Sequence, residues 1–187
     1  TFLHTTPGTP FIYQGEEIGM VNVKYDTIDD YNCCYTRGDY FSMVANGATP
    51  KDAIDTVAPR SRDNARTPYQ WNDSENAGFT SGKPWIKVNP KYKEINLKAD
   101  LESENSIFNY YKKLIEMRKD CPAIVDGDLE FILEDDEQIV AYLRKTSRQT
   151  LLIVANYSDK NAEFKLPENL KESRWERLLT NYEENAP

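Results

Sequence analysis

The sequence of 187 residues predicts an α/β segment followed by a small all-β domain, and three stretches carry that expectation. Phe11-Ile12-Tyr13 is a short apolar run boxed by Pro10 and Gly15, the pattern of a strand buried on both faces as in a parallel sheet. Residues 104–119 place Ile107, Tyr111, Leu114 and Ile115 on one helical face and Asn109, Lys112 and Lys113 on the other. From about Ala123 onward the texture changes to short alternating runs separated by polar turns.

In chain order, residues 1–6 read as the end of a helix stopped by Pro7-Gly8, with His4, the only histidine, as a structural residue at the helix end. The strand at 9–13 opens into a polar, glycine-flexed loop carrying Gln14, Glu16 and Glu17 at its carboxyl end. After a linker, Thr27 reads as the N-cap of a helix with Asp29 and Asp30 in its first turn and Gly47 at its end. Thr49, Pro50 and Asp52 announce a second, shorter helix. Residues 61–82 are rich in Asp, Asn, Gly and Ser, whereas Trp71, Phe79 and Trp85 argue against disorder, so an ordered functional loop is expected. Pro122 prevents the helix at 104–119 from continuing, and Arg118 and Lys119 complement its negative end. Residues 129–133 and 138–144 flank the acidic turn Glu134-Asp-Asp-Glu137, a hairpin signal. Residues 151–155 are apolar on both faces and read as a central strand, with weaker strands at 162–166 and 174–179.

The net charge is −8, and Lys and Arg are scattered, so neither nucleic acid nor an anionic membrane is an expected partner. No apolar run approaches the ~20 residues of a bilayer span. Cys33, Cys34 and Cys121 lack zinc-ligand spacing and read as free thiols in a reducing cytoplasm. No cofactor and no metal site is expected.

The motifs Gly8-Thr-Pro-Phe-Ile-Tyr-Gln-Gly-Glu-Glu-Ile-Gly-Met20, Ser61-Arg-Asp-Asn-Ala-Arg-Thr-Pro-Tyr-Gln-Trp71, Asn76-Ala-Gly-Phe-Thr80 and Lys83-Pro-Trp-Ile86 together resemble family 13 glycoside hydrolases, the α-amylase family. The resemblance is to the branch with oligo-1,6-glucosidases, α-glucosidases and trehalose-6-phosphate hydrolases, and it covers nearly the whole chain. It implies the last βα unit of a (β/α)8 barrel with inserted helices over residues 1–120, then a small antiparallel β-sandwich domain over 121–187, truncated at its end. In such a barrel the carboxyl ends of the strands face the active site. A typical barrel needs ~250 residues, so the sequence reads as a C-terminal fragment of a longer enzyme. A lone strand at 9–13 would lack its neighbours, so residues 1 to about 100 are expected to be poorly ordered, rearranged or paired with another copy.

Retaining glycoside hydrolysis needs two carboxyl groups about 5–5.5 Å apart across the sugar. Glu16 and Glu17 are adjacent, and neighbours in an extended segment point to opposite sides, so they cannot both flank one bond. The motifs holding the family's catalytic carboxylates are absent, and no catalytic residue is assigned. The resemblance implies that Arg62 reaches the sugar in the −1 subsite and that Arg66 braces the same pocket; a purely structural network with Asp63 is the other reading. Gln14, Glu16 and Glu17 are candidates for supporting the site from the barrel mouth, or for structural pairs. Tyr13, Trp71, Phe79 and Trp85 are able to stack on sugars, but packing is the commoner role of such aromatics. Where α-1,6-glucosidases of the branch read roughly Tyr-Arg-Asp-Ile-Glu, this sequence has Tyr31-Asn-Cys-Cys-Tyr35. Tyr35 thus replaces a carboxylate that helps bind the +1 sugar, which implies a different +1 preference.

The expected function is therefore that of a fragment of a cytoplasmic, retaining glycosidase for short α-linked glucosides in carbohydrate metabolism, inactive by itself and able to self-associate. Its expected partner is an α-glucoside oligosaccharide. A trehalose-6-phosphate hydrolase, a related glucosyl transferase or isomerase, and a stand-alone carbohydrate-binding module using the 12 Tyr and 3 Trp are the alternatives.

Overall fold

The computed structural model describes residues 1–181. The helices are α1 (Phe2–Thr5), α2 (Cys34–Ala45), α3 (Pro50–Val57), α4 (Leu97–Glu102), α5 (Ile107–Asp120), α6 (Pro122–Asp126) and α7 (Glu168–Lys171); the strands are β1 (Asp128–Phe131), β2 (Ile139–Lys145) and β3 (Thr150–Asn156). The chain forms two compact units, one of Thr1–Phe11 with the residues from Tyr110 onward, the other of Ile12–Asn109.

In the first unit the three strands pair antiparallel in the order β1-β2-β3. The expected hairpin is present: Asp136 in the acidic turn accepts from the amides of Gln138 and Ile139, and these bonds hold its carboxyl below the usual range. The centre of the sheet is β2, where Ala141, Tyr142, Leu143 and Arg144 are all buried. This corrects the expectation for residues 151–155, since β3 pairs only with β2 among the described residues. Arg144 hides the central strand from a sequence reader. Its guanidinium is fully buried, and it donates to the carbonyls of Thr5 and Gly127 rather than to a carboxylate. Residues 162–166 and 174–179 are not strands; between them lies α7, with Leu170 buried. Of the expected sandwich, the described residues show this one sheet.

Helix α5 starts at Ile107, where the Ser106 hydroxyl accepts from the amide of Asn109. Leu114 is buried while Lys112 and Lys113 are exposed, as the periodicity requires, but Ile107, expected on the same apolar face, is exposed. Arg118 does not merely offset the helix dipole: it donates to the carbonyls of His4 and Gly8 at the end of α1. His4 is buried with its ring edge-on to Tyr111, in keeping with a structural role.

In the second unit the core joins Val23, Tyr25, Ile28, Tyr31, Ala58 and Ile86. Tyr31 accepts from the amide of Tyr25 at 3.0 Å, and the two rings lie 5.0 Å apart, edge to face. The helix expected after Thr27 is broken: a 3-10 turn covers Ile28–Asp30, the backbone is extended at Tyr31 and Cys33, and α2 begins only at Cys34. The physical reason lies in residue 63, whose carboxylate takes the amides of Asn32 and Cys33. Gly47, at φ 96°, ends α2 as expected. Thr49 caps α3 by accepting from the amide of Asp52, with Pro50 in the first turn.

The strand expected at 9–13 does not form. Phe11 is 81% exposed and Tyr13 54%, and no strand pairs with them among the described residues. Apolar residues in a parallel sheet are buried by neighbours on both edges and both faces. The run carries the pattern of such a strand without those neighbours.

Candidate active-site wall

The loop Ser61-Arg-Asp-Asn-Ala-Arg66 is where the predicted sugar-binding residues gather. It folds as a 3-10 turn over Arg62–Ala65, opened by Ser61, whose hydroxyl accepts from the amide of Asp63. Ser61 also receives the hydroxyl of Thr36 at 3.0 Å. Asp63 is fully buried and accepts from Asn32 N–H at 2.7 Å and Cys33 N–H at 2.9 Å. Asn64 accepts from the amide of Val23 at 3.0 Å and donates to the Ala58 carbonyl at 2.9 Å. The Ala65 carbonyl accepts from the Tyr13 hydroxyl at 2.8 Å. Each residue between the two arginines is thereby tied to a different part of the unit.

Both arginines of this loop are exposed. The guanidinium carbon of Arg62 stands 4.9 Å from the ring centroid of Tyr35, which is 65% exposed in the first turn of α2. An exposed cation–π contact of this kind contributes about 0.5–1 kcal/mol. The pair is held in register by buried neighbours one residue along on each side: Ser61 bonds Thr36, and Asp63 bonds the extended segment leading into α2. Among the described residues neither Arg62 nor Arg66 forms an ion pair, so the network through Asp63 runs to backbone amides and not to arginine.

The other candidates fall around a second feature. Gln14 and Glu16 line a cleft with Tyr13, Asn22, Asn64 and Thr67, in which about 100 Å³ is open. Enclosed small-molecule sites span roughly 300–1,000 Å³, so this cleft alone does not surround a sugar. Glu16 accepts from the amide of Tyr13, and Glu17 accepts from the amide of Gly15 at 2.8 Å and the Tyr69 hydroxyl at 2.6 Å. Burial, and then the Glu17 carboxylate, push the Tyr69 phenol well above its ordinary value. Both carboxylates are thus used to shape the turn that Gly15 and Gly19, at φ 94° and 66°, make possible. They are not brought to Arg62 by these bonds.

Trp71 lies against Tyr69 with centroids 4.6 Å apart. Trp71, Phe79 and Trp85 are 48%, 49% and 70% exposed in this chain. Beside them the chain turns through three left-handed residues in succession, Asn76, Ala77 and Gly78, at φ 52°, 57° and 68°. A left-handed alanine costs roughly 1–2 kcal/mol. Sequence reading names Asp63 as part of a structural network but with arginine rather than backbone as its partner, and misses Ser61 and Asn64 as organisers, although Ser, Asp and Asn are the residues whose side chains bond nearby backbone in turns.

Chemically, Arg62 offers a planar fork of N–H donors with one face against an aromatic ring, suited to hydroxyl or carboxylate acceptors.

Residues 1–127 match the model of the alpha amylase catalytic domain, and residues 129–187 that of the maltogenic amylase C-terminal domain. The oligo-1,6-glucosidase of Parageobacillus thermoglucosidasius is 50% identical over 184 residues, which is 98% of this chain and 33% of that protein. The trehalose-6-phosphate hydrolase of Bacillus subtilis is 43% identical over 185 residues, again 98% of this chain and 33% of that protein. The crystal structure of the Bacillus licheniformis trehalose-6-phosphate hydrolase superposes with a TM-score of 0.93 at 43% identity, covering 98% of this chain and 33% of that one. The chain therefore spans about a third of the length of these relatives.

Proposed function

The chain belongs to the α-amylase family, and from that premise we propose that it supplies the sugar-contacting wall of a retaining glycosidase for short α-linked glucosides, of oligo-1,6-glucosidase type. The observation that carries this reading is the exposed Arg62–Tyr35 pair, fixed from beneath by buried Asp63 and Ser61. In it, Arg62 donates to hydroxyls of the −1 sugar and Arg66 braces the same pocket. Tyr35 faces the +1 sugar with a ring where a carboxylate would offer acceptors. Gln14, Glu16 and Glu17 support the wall from the neighbouring turn. Nucleophile and acid/base are supplied by polypeptide outside this chain, as the spacing demanded by the retaining mechanism requires. Residues 1–120 then belong to the catalytic barrel and 121–187 to the C-terminal domain.

A second reading, a trehalose-6-phosphate hydrolase, is favoured by the 43% identity to two such enzymes and by Tyr35, since loss of a carboxylate suits an anionic +1 sugar. The free thiols of Cys33, Cys34 and Cys121 support a reducing, cytoplasmic setting, and the glycosidase reading implies a role in carbohydrate metabolism. The exposed run Phe11-Ile12-Tyr13 supports self-association.

Titration of the purified chain with isomaltose, maltose and trehalose 6-phosphate tests the reading. A saturable response to one of these that Arg62→Gln weakens supports it, and the identity of that sugar separates the two readings. A chromogenic α-glucoside should not be turned over. Turnover abolished by altering one of the chain's own carboxylates would defeat the proposal.

A further inference from the structure

Helix α1 has only four residues and no side-chain cap at its start. A helix that short is not stable by itself in water. What keeps it folded comes from 109 to 139 positions further along the chain. The buried guanidinium of Arg144, on β2, donates through Nη1 to the Thr5 carbonyl at 2.8 Å, while its Nε and Nη2 hold the Gly127 carbonyl at 3.2 and 2.6 Å. Arg118, on α5, donates to the carbonyls of His4 at 2.9 Å and Gly8 at 2.5 Å. The His4 and Thr5 carbonyls are among those that the end of a helix leaves unfilled. Side chains extend the grip. Thr5 Oγ1 meets the Tyr142 hydroxyl at 2.5 Å, Thr1 Oγ1 meets that of Tyr110 at 2.7 Å, and the Phe2 ring lies 5.5 Å from the Tyr142 ring.

Arg144 makes this grip cooperative. A buried charge is tolerated only while its donors are filled. Lifting α1 away by itself takes the Thr5 carbonyl from Nη1 and uncovers Tyr142, which is also fully buried on the central strand. A hydrogen bond to a charged group disfavours such a half-open state by about ten- to a hundred-fold. The alpha amylase catalytic domain model runs unbroken through residues 1–127, which groups α1 with the residues that follow it in sequence. The hydrogen bonds of α1 tie it instead to β2 and α5.

We propose that Thr1–Phe11 is a strap gripped through Arg144 and Arg118, which folds and opens with strand β2 and not with residues 12–109. The C-terminal domain thereby has a task among residues of the catalytic domain: without β2, α1 loses what holds it. The strap stands whether or not the Arg62 wall binds a sugar.

Native-state hydrogen exchange on the whole chain tests the strap through Leu3, on the exposed side of α1. Leu3→Gly and Leu3→Ala differ chiefly in helix propensity, a factor of about five. The Thr5 and Thr6 amides, which close α1, should exchange about five-fold faster in the glycine variant than in the alanine one, and the amides of β2 should accelerate by the same factor. Those of Asn32 and Cys33 should keep one rate in both. Acceleration confined to Thr5 and Thr6 overturns the strap; so does equal acceleration at Asn32 and Cys33, or free exchange of Thr5 and Thr6 in the wild-type chain. In an Arg144→Met background, shown to be folded by circular dichroism, the Leu3 comparison should still move Thr5 and Thr6 but no longer β2. Arg118→Met, which removes the less buried of the two forks, is the milder background, and there the β2 response should shrink by about two-fold or more. Full transmission to β2 in either folded background overturns the arginine grip.

Discussion

Two short segments of this chain carry opposite expectations in the sequence, and the structure reverses their order of definition. Phe11-Ile12-Tyr13 has the stronger apolar pattern, yet it is exposed and unpaired by any strand among the described residues. Ser61-Arg-Asp-Asn-Ala-Arg66 has almost no periodicity, yet Ser61, Asp63, Asn64 and Ala65 are each pinned by a bond to a distant part of the unit. An apolar pattern specifies burial only where there is something to be buried against. A polar turn whose side chains meet backbone donors and acceptors carries its own constraints.

The largest way to break this contrast is at Asp63. Asp63→Ala leaves the buried amide of Cys33 and the partly buried amide of Asn32 without their acceptor, and should destabilise the chain by about 2–4 kcal/mol in denaturant melts. Asp63→Asn, which keeps one acceptor, should cost visibly less. Ser61→Ala removes the cap of the 3-10 turn and the Thr36 contact, for a smaller loss of about 1 kcal/mol. Phe11→Ser, in the segment without partners, should change the melting midpoint by less than about 0.5 kcal/mol equivalent. Native-state hydrogen exchange sharpens the same comparison: the amides of Asn32 and Cys33 should be protected and that of Phe11 should exchange freely.

The smallest effect expected is electrostatic. Hydrogen bonds from Lys24 and Lys51 lower the Asp55 carboxyl to about 2. A depressed folded pKa gives stability that is present above the unfolded value near pH 4 and is lost as the pH falls toward 2. Asp55→Asn should therefore flatten the stability curve between pH 4 and about 2, an effect that added salt should shrink.

The sequence was most legible where structure is local. The Thr49 cap, the stop at Gly47, the Asp136 turn and the face of α5 all depend on residues within a few positions of one another. It was least legible where a residue far along the chain intervenes. Asp63 breaks the helix expected after Thr27 from thirty positions away, and Arg144, a residue type that usually lies outside, is the buried pin of the central strand. The site divides in the same way. Residue type and resemblance single out Arg62, Tyr35 and the turn with Glu16 and Glu17 as candidates. The contact of Arg62 with Tyr35, and the buried pair that enforces it, required the fold.

Arg62 reports most directly on the central claim, through the Nε–H nuclear magnetic resonance signal of its side chain during titration with isomaltose and with trehalose 6-phosphate. The expected result is a saturable shift with one of these sugars in the wild-type chain that is lost in Tyr35→Ala and in Asp63→Asn. A signal that moves equally in all three chains, or in none, would contradict a sugar-contacting wall set by Asp63.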